Sequence, residues 1–331
     1  MRILVTGGAG FIGSHFTRCL LQGRYAGLED CQVTVVDKLT YASNRDNLPA
    51  THPRLTFVAG DICDPWLLAE VVPGHDAVAH FAAESHVDRS VDDPGRFFET
   101  NVIGTQRLLD QCVRSAVERV VHVSTDEVYG SIPEGCWTER SPLEPNSPYA
   151  ASKAASDCVA RSYWRTYGLD LSITRCANNY GPYQHVEKVI PRFVTSLLLG
   201  AEITLHGDGS AVREWLHVDD HCRAVALVLA KGRAGEVYNI GGDVEMTNRA
   251  LTERILRLDG SGWDRVRHVA DRQVQDRRYS LDYSKIREEL GFEPLIPFAA
   301  GLVDVYAWYQ DNRAWWAASR TDALSLAPSA G

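Results

Sequence analysis

The chain has 331 residues, 45% of them hydrophobic, with 34 basic against 43 acidic side chains and a formal charge of -9. That length can bury a large core, as one α/β domain or two closely joined ones. The acidic balance argues against a general affinity for nucleic acid or anionic membrane, so a polyanionic ligand would need a local cluster of Arg and Lys. In chain order, Arg2–Thr6, Val33–Asp37, Leu55–Ala59, Ala77–Phe81, Val120–Ser124 and Leu171–Thr174 are short apolar runs that predict buried strands. Between them, Phe11–Gln22, Trp66–Val71, Phe97–Ala116 and Tyr149–Tyr167 carry apolar residues at three- and four-residue spacing and predict helices. The alternation implies a doubly wound parallel sheet covered on both faces, an α/β fold.

The rhythm changes after residue 176. Asn178–Pro191 is rich in Asn, Gly and Pro, as expected of a loop over a site, and Val189–Leu199 resumes a helical pattern. Strand-like runs at Ile203–Leu205 and Val237–Ile240, with helices near His217–Ala230, Asn248–Leu258 and Leu302–Ala314, predict a smaller α/β C-terminal region. The expected division is a cofactor domain over 1–176, regained around 213–241, and a substrate-binding region over 177–320. The small, polar stretch Thr321–Gly331 is expected to be a disordered tail.

The eight cysteines show no C-x-x-C spacing, and several fall in apolar-periodic segments where Cys acts as a small hydrophobe. Reduced, buried thiols are expected. No apolar stretch approaches the length of a membrane span, and Met1-Arg2 runs through Ile3-Leu4-Val5 into glycines without a signal-peptide layout, which predicts a cytoplasmic protein.

The strand Ile3–Thr6 leads into Gly7-Gly8-Ala9-Gly10-Phe11-Ile12-Gly13, which opens a helix. Gly7, Gly10 and Gly13 allow the tight turn, the approach of backbone to a pyrophosphate and close helix–strand packing expected of a Rossmann-type dinucleotide site. The second strand ends at Asp37, where a carboxylate can bond ribose hydroxyls and repel a 2′-phosphate, favouring NAD+ over NADP+. Lys38 bears on that exclusion. Asp61-Ile62, after the third strand, reads as an adenine contact or as a helix N-cap.

Tyr149 and Lys153 form a Y-x-x-x-K pair on one helix face, where an ammonium can favour the phenolate and make Tyr149 a general base. Alone, the pair reads equally as surface packing. Thr125, Asp126 and Glu127 follow the strand Val120–Ser124, at the end of the sheet that lines a ligand crevice. Two adjacent carboxyls cannot both ionise cheaply, so one can stay protonated as an acid while the other acts as a base. The other reading is a pair of acids favoured by a helix start.

These segments, together with Ala82-Ala83-Glu84-Ser85-His86-Val87-Asp88, Asn178-Asn179-Tyr180-Gly181-Pro182-Tyr183 and Val212-Arg213-Glu214-Trp215, resemble the extended short-chain dehydrogenase/reductase superfamily nearly end to end. Within it the chain closely resembles the dTDP-glucose 4,6-dehydratase family, and Asp126-Glu127 is the most specific feature, because related epimerases usually carry small or hydroxyl residues there. The resemblance implies a lyase with no net redox change. Tyr149 would take the proton of the glucose 4-hydroxyl as hydride leaves C4 for NAD+, with Lys153 lowering the phenol's pKa and Thr125 holding the 4-oxygen. Glu127 would then remove the acidified C5 proton as Asp126 protonates the departing C6 hydroxyl, and hydride would return to C6.

Carried over residue by residue, the cofactor side comprises Gly7, Gly10, Phe11, Ile12, Gly13, Asp37, Lys38, Leu39, Thr40, Asp61 and Ile62. Phe81, Ala82, Ala83, Ser85, Thr100, Asn179, Tyr149 and Lys153 complete it. The resemblance places the cations Lys188, Arg213 and Arg272 near the diphosphate of the dTDP-glucose, where arginine's planar fork suits paired oxygens. Ser85, Thr125, Asn178, Val189, Thr204, Leu205, His206, Asn248, Asp271 and Gln275 join them on the substrate side. Each has a plainer reading: Arg213 as a surface charge beside Glu214, Asn248 as a helix N-cap.

One stretch departs from the family pattern. Where relatives typically have Asp-Arg-Pro-Gly-His-Asp, this chain has Asp271-Arg272-Gln273-Val274-Gln275-Asp276, so a hydrogen bond from the family His would have to come from the Gln275 amide. Activity is expected to survive with altered substrate affinity. His217 and His221, with Asp219 and Asp220 between them, have the spacing of a helical metal pair, but no further ligands converge and no metal is expected. His86 is expected to hydrogen-bond beside the cofactor. In the family the two long helices pair across a two-fold axis, implying a homodimer built on a four-helix bundle. An NAD-dependent nucleotide-sugar 4-epimerase or decarboxylase, or a non-catalytic NAD-sensing protein, are the alternatives; the adjacent acids disfavour an epimerase, which has no elimination to catalyse.

Overall fold

In the computed structural model, which describes residues 1–271 and 276–325, seven parallel strands form one sheet in the order β10-β6-β5-β4-β1-β2-β3. The first half builds six of them: β1 (Arg2–Thr6), α1 (Phe11–Leu21), β2 (Gln32–Asp37), β3 (Leu55–Ala59), α2 (Pro65–Val71), β4 (Ala77–His80), α3 (Val87–Asp92), α4 (Pro94–Phe98), α5 (Thr105–Arg114), β5 (Arg119–Thr125), α6 (Pro148–Tyr167) and β6 (Leu171–Cys176). Strand order reverses between β1 and β4, and at such a switch point the loops at the strand carboxyl ends separate to leave a crevice. Alternate residues of β1 feed the two faces: Ile3 and Val5 join the core with Phe16 and Val225, and Leu4 joins the one with Leu108 and Val120.

The second half contains β7 (Asn178–Tyr180), α7 (Val189–Leu198), β8 (Ile203–His206), β9 (Val212–His217), α8 (Val218–Lys231), β10 (Val237–Ile240), β11 (Val244–Thr247), α9 (Asn248–Asp259), β12 (Val266–Val269), α10 (Ser284–Leu290), α11 (Phe298–Asp311) and α12 (Arg313–Ser325). The return to the main sheet is narrower than 213–241: α8 and β10 rejoin it, whereas β9 pairs with β7 and β11 in a three-stranded sheet. A second core, including Ile190, Trp215, Leu251, Leu302 and Trp316, holds this region together.

Three further expectations need correction. The helix predicted over 97–116 is interrupted by a π-helical turn at Glu99–Gly104. Its cause is Asn101, buried, whose side chain accepts from the Glu84 amide at 2.8 Å and donates to the Ser152 hydroxyl at 2.8 Å. Extra-residue turns of this kind occur where a helix must aim a side chain at a site. Residues 321–325 of the expected tail are helical, as the end of α12, and 326–331 lie outside the described residues. Of the eight thiols, all free, five are buried, Cys63 is half-buried, and Cys136 and Cys158 are exposed. Among the described residues no helix is long and apolar enough to cross a membrane.

Candidate active site

A cleft runs along the carboxyl ends of β1, β2, β4, β5 and β6, from the glycine turn to the acids after β5. At its cofactor end Gly7 has φ +70, and a Cβ there would stand 2.6 Å from the Ala82 amide nitrogen. A Cβ on Gly13 would overlap the Gly7 carbonyl. The helix that follows starts at Gly10 with no side-chain cap and no acid in its first turn, so its amides face the cleft unmasked. Asp37 is buried, accepting from the amides of Ala9 at 2.9 Å and Leu39 at 2.8 Å. Those two bonds aim its carboxylate at the cleft and leave lone pairs for a diol.

Lys38 is committed to Asp61, 2.6 Å away, and so is not free to greet a 2′-phosphate. Burial works to raise the Asp61 carboxyl, but Lys38 and the Cys63 amide hold it below its ordinary value. Asp61 is not the helix cap: Asp64 caps α2 by accepting from Trp66 and Leu67. Phe11, Ile12, Thr40, Ile62, Phe81, Ala82, Ala83, Ser85, Thr100 and Asn179 line the same cleft. Leu39 does not; it is exposed, with φ 55. A dinucleotide with a free adenosine ribose fits this set: a glycine cradle that a Cβ would fill, open helix amides and an oriented carboxylate.

At the other end, a 3-10 turn over Asp126–Tyr129 directly continues β5. The Thr125 hydroxyl organises it, donating to Asp126 Oδ1 at 3.1 Å and accepting from the Glu127 amide at 3.3 Å. Asp126 is 2% exposed and its Oδ2 has no hydrogen-bond partner. Burial, then the charges of Glu127 and Glu214, push its carboxyl well above the ordinary range, which favours the protonated form. Glu214, from β9, is itself buried and raised to about 7, accepting from the amides of Gly242 and Leu281.

Tyr149 and Lys153 enter from α6, both buried, with Ser147 capping the helix through the Ala150 amide. The expected lowering of the Tyr149 phenol by Lys153 is not what the geometry gives. Burial pushes the phenol well above its usual value, Glu127 adds to this, and the Thr125 hydroxyl opposes it. Lys153 donates to the Val123 carbonyl at 2.8 Å and is pushed down by burial to about 8, against the pull of Asp157.

Of the substrate-side residues, Ser85, Thr125, Asn178 and Lys188 line the cleft, and Lys188 donates to the Ser85 carbonyl at 2.8 Å. The other described residues do not line it, although the charge of Arg213 reaches Asp126. Val189 opens α7, and Thr204, Leu205 and His206 lie on β8, paired with β12. Leu205 is buried, so that only its main chain is available. His206 meets the Ala270 carbonyl at 3.1 Å, and Asp271 packs on Gly207. Arg213 lies 4.5 Å over the Tyr279 ring, and is therefore no simple surface charge. Asn248 is the first residue of α9 rather than its cap, a role taken by Thr247. Arg272 and Gln275 lie outside the described residues.

Several residues of the site carried no individual signal. Glu84, Gln184, His185 and Glu187 line the cleft; the last three belong to the polar loop that the sequence marks only as a segment. Tyr279 is buried, donates to Asp276 at 2.6 Å, and is raised by burial and the charge of Glu127. His86 acts as the cap of α3, with its Nε2 3.7 Å from Glu187. His217 and His221 diverge: one caps α8 and the other meets Asn179 Oδ1 at 3.0 Å. His15, Cys19 and Asp219 do cluster, around the guanidinium of Arg24, 2.8 Å from Asp219 and 3.1 Å from the Cys19 sulfur.

Residues 4–305 match the family model described as GDP-mannose 4,6 dehydratase. A dTDP-glucose 4,6-dehydratase of Streptomyces niveus is 58% identical over 318 residues, 96% of this chain and 95% of that one. The chain belongs to the dTDP-glucose 4,6-dehydratase family. Among solved structures, the dTDP-glucose 4,6-dehydratase DesIV of Streptomyces venezuelae, with NAD and dTDP bound, superposes with a TM-score of 0.95 at 62% identity, covering 96% of this chain and all (100%) of that one. The UDP-glucose 4-epimerase of Thermotoga maritima, solved with UDP-glucose, gives 0.88 at 32% identity over 95% of this chain and 100% of its own. The fold is thus shared by dehydratases and epimerases, and within the family it is the site that separates them.

Proposed function

We propose that this protein is an NAD+-dependent dTDP-glucose 4,6-dehydratase that forms dTDP-4-keto-6-deoxyglucose and water, a step of deoxysugar biosynthesis. The observation that carries the reading is the buried, partnerless Asp126 Oδ2 beside Glu127, an acid whose protonated form is favoured next to a second carboxyl at the mouth of β5. An epimerase has no leaving hydroxyl to protonate, and a decarboxylase would need a cationic pocket for a carboxylate. In this reading the glycine turn and Asp37 hold NAD+, and the main sheet with α8 and β10 forms the cofactor domain. The rest of residues 177–320 then supplies the nucleotide-sugar side, with Lys188 and Arg213 toward the diphosphate.

Bound NAD+ supplies two-electron oxidation at C4, return of the electrons at C6, and a positive charge favouring the Tyr149 phenolate. Burial raises the phenol in the free protein, the charge of bound NAD+ would oppose this, and it is as the phenolate that Tyr149 would take the 4-hydroxyl proton during the oxidation. Lys153 keeps a positive charge behind it, and the Thr125 hydroxyl fixes the 4-oxygen. The ketone acidifies C5–H; Glu127 removes that proton while Asp126 gives its own to the 6-hydroxyl, and water departs. Glu127 then returns a proton to C5.

The chain is also proposed to act as a homodimer through a four-helix bundle of α4–α5 and α6. Phe98, Ile103 and Tyr167, exposed by 41%, 38% and 58%, supply apolar surface on these elements. Free cysteines and the biosynthetic chemistry support a cytoplasmic location. Incubation with dTDP-glucose should give a product lighter by one water with a base-developed 4-keto chromophore. Turnover of a UDP- or GDP-sugar in its place would overturn the nucleotide assignment.

A further inference from the structure

Behind Lys153 lies a buried ion pair that none of the steps above uses. Asp157 follows Lys153 by one helical turn, so Tyr149, Lys153 and Asp157 form one row on the face of α6 that meets β5 and β6. Asp157 is 2% exposed; its Oδ2 accepts from Arg175 Nε at 2.8 Å, and its Oδ1 lies 3.4 Å from His122 Nε2. Arg175, on β6, also donates to the Tyr129 hydroxyl at 2.7 Å and stands 4.7 Å over that ring. The Tyr129 hydroxyl in turn donates to Asn239 Oδ1 at 2.8 Å. Tyr129 is the last residue of the turn that carries Asp126 and Glu127. One guanidinium therefore joins an acid on the Tyr149–Lys153 helix to the end of the carboxylate turn.

Stability alone is a poor reason for such a pair, since apolar replacements of buried ion pairs are often as stable. Neither Asp157 nor Arg175 lines the catalytic cleft; both face a second crevice, at the β10 edge of the sheet, with Arg161, Trp164 and Lys285. Any effect on chemistry must pass through Lys153 and Tyr129. We propose that Asp157 and Arg175 are positioning residues: Asp157 keeps Lys153 charged for the oxidation, and Arg175 locks the Asp126–Glu127 turn for the elimination. The proposal rests on the dehydratase reading of the site.

The surroundings of Lys153 leave the first role to Asp157. On β5, His122 is pushed down by burial to about 4, and on β4 His80 is pushed well below its usual range, so both are neutral. On β6, burial pushes the Cys176 thiol up, so it too is uncharged at neutral pH, and the Arg175 guanidinium is directed at Asp157 and the Tyr129 hydroxyl. On α6, burial pushes the Tyr149 phenol well above its usual value until NAD+ binds, and the phenolate then formed meets the ammonium from the cleft side, opposite Asp157. Asp157, drawn down to about 2 by Arg175, His122 and Lys153 against the effect of its burial, is the anion that faces the ammonium.

The test reads reduction of bound NAD and solvent exchange at C5 separately, as functions of pH. Removing the Asp157 charge lowers the pH at which Lys153 loses its proton. Asp157→Asn should therefore move the alkaline limb of NAD reduction down by about one pH unit with KM unchanged, and Asp157→Glu should restore it. Should Asp157→Asn fail to fold around an unpaired Arg175, the doubly neutral Asp157→Asn/Arg175→Gln variant should show the same displacement. Tyr129→Phe, which keeps the ring, should slow C5 exchange on the order of tenfold while NAD reduction stays at the wild-type rate. An alkaline limb at the wild-type pH without Asp157, or equal slowing of both steps by Tyr129→Phe, overturns the proposal. NAD reduction can be followed with any nucleotide sugar that the holoenzyme oxidises, so failure with dTDP-glucose would count against the dehydratase reading and not against the pair.

Discussion

Asp126 shows how a single residue can serve chemistry at the expense of stability. Folding raises this carboxyl's pKa while an unfolded chain would release the proton near pH 4, so the native state loses stability as pH rises above that value. Asp126→Asn removes the titration. It should raise Tm by about 2–4 °C at neutral pH, while turnover falls by about 10²–10⁴-fold because the general acid is gone. Calorimetry and steady-state kinetics on one preparation check both directions. At this scale the sequence was legible where neighbours in the chain are neighbours in space: the Thr125–Glu127 turn, Gly7 to Gly13, and the Tyr149–Lys153 row. Tyr279 and Glu187 were not legible, because their contacts come from segments far apart in the chain. The raised Tyr149 phenol was not legible for a related reason: spacing shows that Lys153 is near, whereas burial depends on the whole fold.

Among the elements, the strands of the main sheet were the most legible, because burial on both faces leaves continuous apolar runs. The short β7, β11 and β12 have no such run, only three or four residues each, and their pairing is set by tertiary contacts. The interruption at Glu99–Gly104 was invisible for a different reason: apolar spacing continues through it, and only the inward bonds of Asn101 reveal it. Asn101→Leu would leave the Glu84 amide and the Ser152 hydroxyl short of a partner in a buried place. A loss of about 1–3 kcal/mol in denaturant-induced unfolding is expected, with weaker retention of NAD+ because Thr100 and Glu84 flank the cleft. In the glycine turn, Gly13→Ala places a methyl against the Gly7 carbonyl, and the purified protein should carry less bound dinucleotide by absorbance and mass.

For the whole molecule, the separation of the main sheet from a second core could be anticipated from the change of rhythm after residue 176, but its stitching could not. The chain crosses back as α8 and β10, α10 packs its Ile286 into the same core, and Glu214, from the smaller sheet, reaches the Gly242 amide just beyond β10. Association belongs to this scale too: sedimentation should show a dimer, and Ile103→Arg should shift it toward monomer if α4–α5 and α6 form the interface. The central claim is that adjacent carboxyls turn a reversible oxidation into a dehydration. It is tested most directly with dTDP-glucose deuterated at C4, followed by mass spectrometry and NMR of the product. The account requires loss of one water with the deuterium now on C6. Deuterium still on C4 of an intact hexose, or lost to solvent, would contradict it.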